Sequence, residues 1–202
     1  GPFPLLVIAP AKQYLMKEKI FESLAQGAMA LGYYVVRFNW GYTVNLKNRE
    51  PSADLSAEVK ELDAVLEKFL RKPEVDPGRI VLAAKSFGSK VAMLGPYQKA
   101  TAILLLTPNC SAEEPFLKLY RPLVETKQKT QIVISTTDPY CDIGQIYGAL
   151  SELGPETTIT TLAGDHNFVL PNEASGLNEE LAIRASLNWL NLLKLKPERV
   201  GP

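Results

Sequence analysis

Continuous apolar runs and amphipathic runs take turns along this chain. Residues 3–10 (FPLLVIAP) are apolar without a break, as expected of a strand covered on both faces. Within 20–31, Phe21, Leu24, Ala28 and Leu31 recur at helical spacing, and Gly32 supplies a stop. A second strand is predicted over 34–40 (YVVRFNW), followed by a polar loop over 41–52. The strongest helical pattern spans 54–71, where Leu55, Val59, Leu62, Leu66 and Phe69 share one face. Ser52 or Asp54 is its expected cap, and Pro73 with the Asp76-Pro77-Gly78 turn ends it.

The second half repeats the alternation. A third strand over 80–84 runs into a helix that begins after Ser86 and ends by Gly95-Pro96. Residues 101–107 (TAILLLT) form a fourth strand. Residues 111–129 have helical composition broken at Pro115 and Pro122, which predicts one or two short helices. A fifth strand (131–137, QIVISTT), a helix over 143–153 and a sixth strand (157–162, TTITTL) follow. An amphipathic helix over 179–194 closes the chain through Leu181, Ala185, Trp189 and Leu192. Six strands alternating with helices predict an α/β fold: a three-layer α/β/α sandwich around a mainly parallel six-stranded sheet. With no repeat, low-complexity tract or linker, residues 1–202 read as one domain.

Composition excludes some partners. Across 202 residues, 46% are hydrophobic and 22% charged, a globular balance. Lys plus Arg equals Asp plus Glu, at 22 each, so no global field favours nucleic acid or an anionic membrane. No apolar run approaches the ~20 residues of a spanning helix. The two cysteines, Cys110 and Cys141, are too few for a disulfide framework and read as small buried hydrophobes in a reducing compartment. No signal-peptide pattern follows Gly1-Pro2, so the expected location is cytoplasmic, although the native start is left open.

In a parallel sheet of this kind ligands bind at the carboxyl ends of the strands. Those ends should deliver Ala9-Pro10-Ala11-Lys12, Asn39-Trp40, Ser86, Asn109-Cys110, Asp138 with Cys141 and Asp142, and His166. Ser86 lies at a strand-to-helix turn between Ala84 and Gly88, an A-x-S-x-G pattern. A nucleophile elbow needs nearly side-chain-free residues two before and two after its nucleophile. A plain N-cap for the following helix is the competing role for Ser86. His166 is the only histidine. It follows the sixth strand, as Ser86 follows the third and Asp138 the fifth, and the order Ser, acid, His suits a catalytic triad. Serine needs a base to become a nucleophile, imidazole is the base suited to neutral pH, and a carboxylate fixes its tautomer. Asp138 could instead be a simple Asp-Pro turn residue.

On these residues the chain resembles the α/β-hydrolase superfamily, in particular its compact, capless members of the dienelactone-hydrolase-like and carboxylesterase-like group. Ala84-Lys-Ser-Phe-Gly-Ser-Lys-Val-Ala92 is similar to the elbow block G-K/R-S-x-G-G/S-K/R-x-A. Ser135-Thr-Thr-Asp138-Pro-Tyr resembles the G-x-x-D-P acid loop, and Gly164-Asp-His166-Asn-Phe168 resembles the G-x-D-H-x-F histidine loop. The similarity runs from about Leu5 to Leu193. It implies hydrolysis of a small ester, thioester or amide through an acyl-enzyme on Ser86, with His166 and Asp138, and without a metal or organic cofactor. It also implies a minimal sheet that begins at the third strand of larger members.

One block departs from the family. Relatives often carry H-G-x-G after the first strand, where this chain has Ala9-Pro10-Ala11-Lys12. Pro10 has no N–H, so the expected oxyanion donors are the Ala11 and Phe87 N–H groups. Lys12, Trp40, Tyr42, Tyr140 and Phe168 are the expected pocket residues, and Lys12 or Lys85 could favour an anionic substrate. Three other readings compete: a cysteine nucleophile, a metal site from Asp138, Cys141, Asp142 and His166, and a non-catalytic fold used for binding or scaffolding.

Overall fold

The structure, a computed structural model, describes residues 1–44, 49–171 and 176–195. Six strands form one sheet: β1 (Phe3–Ala9), β2 (Tyr34–Arg37), β3 (Val75–Ser86), β4 (Ala102–Pro108), β5 (Lys129–Ser135) and β6 (Thr157–Leu162). Their order is β2-β1-β3-β4-β5-β6, and every pairing is parallel. The reversal of chain order beside β1 and β3 makes their carboxyl ends the natural crevice for a ligand.

The apolar runs become central strands because helices cover both faces. Alternation sends Leu5, Val7, Ile80, Leu82, Ala84, Ile103 and Leu105 to one face. There they meet α3 (Ser56–Leu70) and α4 (Phe87–Met93). The short helices α5 (Phe116–Leu119), α6 (Arg121–Thr126), α7 (Ile143–Gly148) and α8 (Leu150–Leu153) extend the same layer. Leu6, Ile8, Val81, Ala83, Leu104 and Leu106 point the other way, onto α1 (Lys19–Ala30) and α9 (Leu177–Leu195). The three-layer α/β/α sandwich is thus as expected, with a sheet that is parallel throughout.

Differences from the sequence expectation have local causes. β3 begins at Val75, not residue 80, and contains the expected turn as a bulge. Its register against β1 jumps from Asp76 to Ile80, while Asp76 Oδ1 accepts from the Gly78 N–H at 2.9 Å. β2 stops at Arg37, and residues 41–44 of the expected polar loop form a short helix, α2 (Gly41–Val44). Residues 45–48 of that loop lie outside the described residues. The helix expected over 143–153 divides into α7 and α8 at Ala149.

Candidate active site

The elbow is defined by backbone strain. Ser86 adopts φ 51° and ψ −116°, a conformation uncommon for a residue with a Cβ. Ser86 occupies the N-cap position of α4, but its side chain makes no capping bond there. Phe87, as the first residue of α4, presents an N–H with no intrahelical acceptor. The small residue at 88 is a requirement: a Cβ there would lie 2.6 Å from the Ala9 carbonyl oxygen and 2.7 Å from that of Pro10. Gly88 therefore lets the elbow helix touch the loop that follows β1. Ala84 sits in β3 at ordinary strand register, fully buried, and tolerates its methyl group.

The loop after β1 is held from behind by two aromatic residues. The Trp40 indole N–H donates to the Pro10 carbonyl at 2.9 Å, and the Tyr42 hydroxyl donates to the Lys12 carbonyl. Burial raises the Tyr42 pKa, so its phenol stays protonated and donates. No peptide bond is cis among the described residues. The Ala11 N–H is consequently directed opposite to the Pro10 carbonyl, away from the buried indole. Without the glycines of H-G-x-G, the side chains of residues 40 and 42 fix this loop.

The histidine loop brings two of the three expected residues together. His166 Nδ1 lies 2.9 and 2.8 Å from the two carboxylate oxygens of Asp138, a buried contact. A carboxylate only accepts, so Nδ1 carries a proton, and in the neutral ring Nε2 is the nitrogen with the free lone pair. Asp138 Oδ1 also accepts from the Tyr140 N–H at 2.8 Å. The Tyr140 ring meets the imidazole edge-to-face at 4.6 Å between centroids. Ser86 makes no direct hydrogen bond to His166 here. The elbow and the histidine loop meet one residue away, where Lys85 Nζ donates to the His166 carbonyl at 2.8 Å.

Several expected roles change. Trp40 is 0% and Phe168 1% exposed, so neither offers surface to a ligand; both pack beneath the site. Tyr140, at 55% exposed, and Lys12 remain at the surface, with Lys12 Nζ 2.6 Å from Glu50 Oε2. A cavity of about 300 Å³ beside the Ala11 loop is lined by Lys12, Tyr42 and Arg49 among others. A larger groove of about 560 Å³ runs along β2 near Phe3 and Phe69, and contains none of Ser86, Asp138 or His166. Lys85 is not a solvated lysine. It is 1% exposed, on the α1/α9 side of the sheet.

The cysteines are not free buried hydrophobes. Cys110 and Cys141 form a disulfide between the loops that follow β4 and β5. The bond removes the argument for a reducing compartment, and it removes Cys141 from any metal-ligand set or nucleophilic role. Among the described residues, no three His, Cys, Asp or Glu side chains gather to hold an ion. Each cysteine follows one of two strands that pair in the sheet, an adjacency that a count of cysteines does not show. Together with the Cys110 N–H bond to the Tyr140 carbonyl at 2.9 Å, the disulfide ties the Asp138 loop to the next strand end. The bridged residues are 31 apart. A Cys110→Ala, Cys141→Ala double variant should therefore lose about 3–4 kcal/mol of unfolding free energy in urea titrations. An unchanged midpoint would mean that the bond does not form in solution.

These features define a parallel α/β hydrolase fold with an elbow serine and a His–Asp pair at the strand ends. The chain belongs to the alpha/beta hydrolase domain family, whose model matches residues 6–191. Solved structures share the fold. An alpha-beta serine hydrolase homologue from Coxiella burnetii is 21% identical, with a TM-score of 0.68 over 97% of this chain and 88% of its own. A lidless α/β serine hydrolase from Xanthomonas campestris is 18% identical, with a TM-score of 0.68 over 100% of this chain and 86% of its own. Est1E from Butyrivibrio proteoclasticus, solved with ferulic acid bound, is 13% identical, with a TM-score of 0.77 over 96% and 91%. No curated protein matches the chain in sequence. Among the described residues no helix is long and apolar enough to cross a membrane.

Proposed function

We propose that this chain is a serine hydrolase that cleaves small esters or thioesters, and by the same chemistry amides. Ser86 is the nucleophile, His166 the general base and acid, and Asp138 the residue that orients the histidine. The observation that carries the reading is the strained Ser86 backbone, with a side chain that caps nothing, next to a loop holding a His–Asp pair. Strain of this kind persists where the surrounding fold holds it in place, and it clusters at functional sites.

In the reaction, Ser86 Oγ attacks the substrate carbonyl carbon while its proton passes to His166 Nε2. The oxyanion that forms accepts from the Phe87 and Ala11 N–H groups. Collapse breaks the bond to the leaving group, which departs with the proton from Nε2. Water then gives a proton to Nε2 and attacks the acyl carbon, releasing a carboxylic acid and restoring the Ser86 hydroxyl. The cavity lined by Lys12 and Tyr42 stands beside the Ala11 donor and suits a short acyl or leaving group. We read the whole as one domain without a separate cap.

An alkyl fluorophosphonate probe tests the reading directly. It should label the wild-type protein at Ser86 and fail to label Ser86→Ala. Equal labelling of both, or none of the wild type, would remove Ser86 as the nucleophile. The second of those outcomes would favour a binding or scaffolding role.

A further inference from the structure

β3 is apolar from Ile80 to Ala84, and the lysine that follows is buried without a carboxylate in direct contact. Lys85 is 1% exposed, and among the described residues it forms no ion pair. Its ammonium donates to Thr107 Oγ1 at 2.7 Å and to the His166 carbonyl at 2.8 Å. The rings of Tyr14 and Phe168 flank it, with centroids at 5.7 and 5.6 Å. Burying a cation this way is costly, so a fold keeps one where it does something apolar packing cannot.

The surroundings are built for it. Among the described residues five non-glycine positions have positive φ, and three of them converge here: Ser86, Thr107 and Phe168. Thr107, at φ 39°, is a β-branched residue in a region that disfavours such side chains. It is also the residue skipped where β3 and β4 shift register, since Lys85 pairs with Leu106 and Ser86 with Pro108. The bulge turns the Thr107 hydroxyl onto the ammonium. Phe168, at φ 62°, places its ring against the same cation.

The topology shows what the clamp accomplishes. β6 lies three strands from β3, about 14 Å across the sheet. The histidine loop must reach back over β4 and β5 to face the elbow. Ser135 and Thr137, at the end of β5, hold the Asp165 and Gly164 carbonyls, and the Tyr14 hydroxyl meets Asn167. Among the described residues, the bond that joins the loop to β3 comes from Lys85.

We infer that Lys85 is a positioning residue: its ammonium fastens the His166 loop to the elbow and sets where the imidazole stands relative to Ser86. This rests on the Ser86–His166 reading above. Burial also lowers the Lys85 pKa to about 8, offset in part by the charges of Asp138, Asp165 and Glu179. These carboxylates face the lysine from the acid loop, the histidine loop and α9. A charge-assisted bond is about twice as strong as a neutral one, so the clamp weakens as pH rises through that range.

The test uses the full chain with Lys85→Met and Lys85→Arg. With p-nitrophenyl acetate, wild-type kcat should fall as pH rises through about 8. Lys85→Met should lose about 10- to 100-fold in kcat with little change in KM, and lose that limb. Lys85→Arg, which stays charged, should keep most of the rate at neutral pH and remain flat to high pH. The single histidine supplies a readout independent of turnover. Its low-field Nδ1–H proton resonance should be sharp in the wild type and Lys85→Arg, and broadened or lost in Lys85→Met. A folded Lys85→Met with wild-type kcat and pH profile would overturn the inference, as would a Lys85→Arg that keeps the limb near 8. If the wild type fails to react with substrate or fluorophosphonate, the Ser86 reading fails, and the imidazole resonance alone decides whether Lys85 holds His166.

Discussion

His166→Ala is expected to lower kcat for an activated acyl ester by about 10⁴- to 10⁶-fold while KM moves little. The reason lies in what else could take the Ser86 proton. The chain has no second histidine. The amine of the adjacent Lys85 lies toward the opposite face of β3 and is engaged by Thr107 and the His166 carbonyl. Residual turnover then comes from binding and from the Phe87 and Ala11 donors, which do not depend on the imidazole. The truncation leaves a space lined by Asp138 and Tyr140, so added imidazole should recover part of the lost rate. The measurement is steady-state hydrolysis of p-nitrophenyl acetate by folded protein, checked by circular dichroism. A kcat within tenfold of wild type would end the assignment of His166 as base.

The order of elements and the residues at the strand ends were legible in the sequence, because a buried parallel strand reads as an unbroken apolar run. Residues 5–9 and 102–106 show this: each places its alternate side chains in the two core layers. The elbow was half legible. Gly88 has to be small, since the Ala9 and Pro10 carbonyls press against it, whereas Ala84 occupies ordinary strand geometry. Local pattern could not separate a capping serine from one whose side chain stays free of the helix, because Ser86 sits at the N-cap position either way.

What stayed hidden depended on neighbours that are distant in sequence. Trp40 and Phe168 lie at strand ends, as an aromatic pocket would require, yet both face inward. The first holds the Pro10 carbonyl and the second covers the Lys85 ammonium. Composition suggested that two cysteines would be free, but adjacency of β4 and β5 overrides a count. Lys85 offered one clue, a charge directly after the apolar run of residues 80–84. Local pattern could not say whether it reached solvent. Its acceptors sit 22 and 81 residues away.

Asp138→Asn separates a chemical role from a structural one, and is expected to lower kcat about 10⁴-fold with little loss of stability. The asparagine oxygen can still accept from the Tyr140 N–H, which keeps the turn after β5 intact. Its amide NH2 would then face His166 Nδ1, where a carboxylate oxygen now stands at 2.8 Å. A donor in that place forces Nδ1 to accept, which moves the proton to Nε2 and leaves the ring unable to take one from Ser86. Asp138→Ala should behave differently. It leaves the Tyr140 N–H and the imidazole without their acceptor, and should cost about 1–3 kcal/mol of stability besides the rate. Urea denaturation and steady-state kinetics on both variants read the two effects separately. If Asp138→Asn unfolds as readily as Asp138→Ala while keeping the activity of its folded fraction, Asp138 is a turn residue, and the tautomer of His166 must be set by something else.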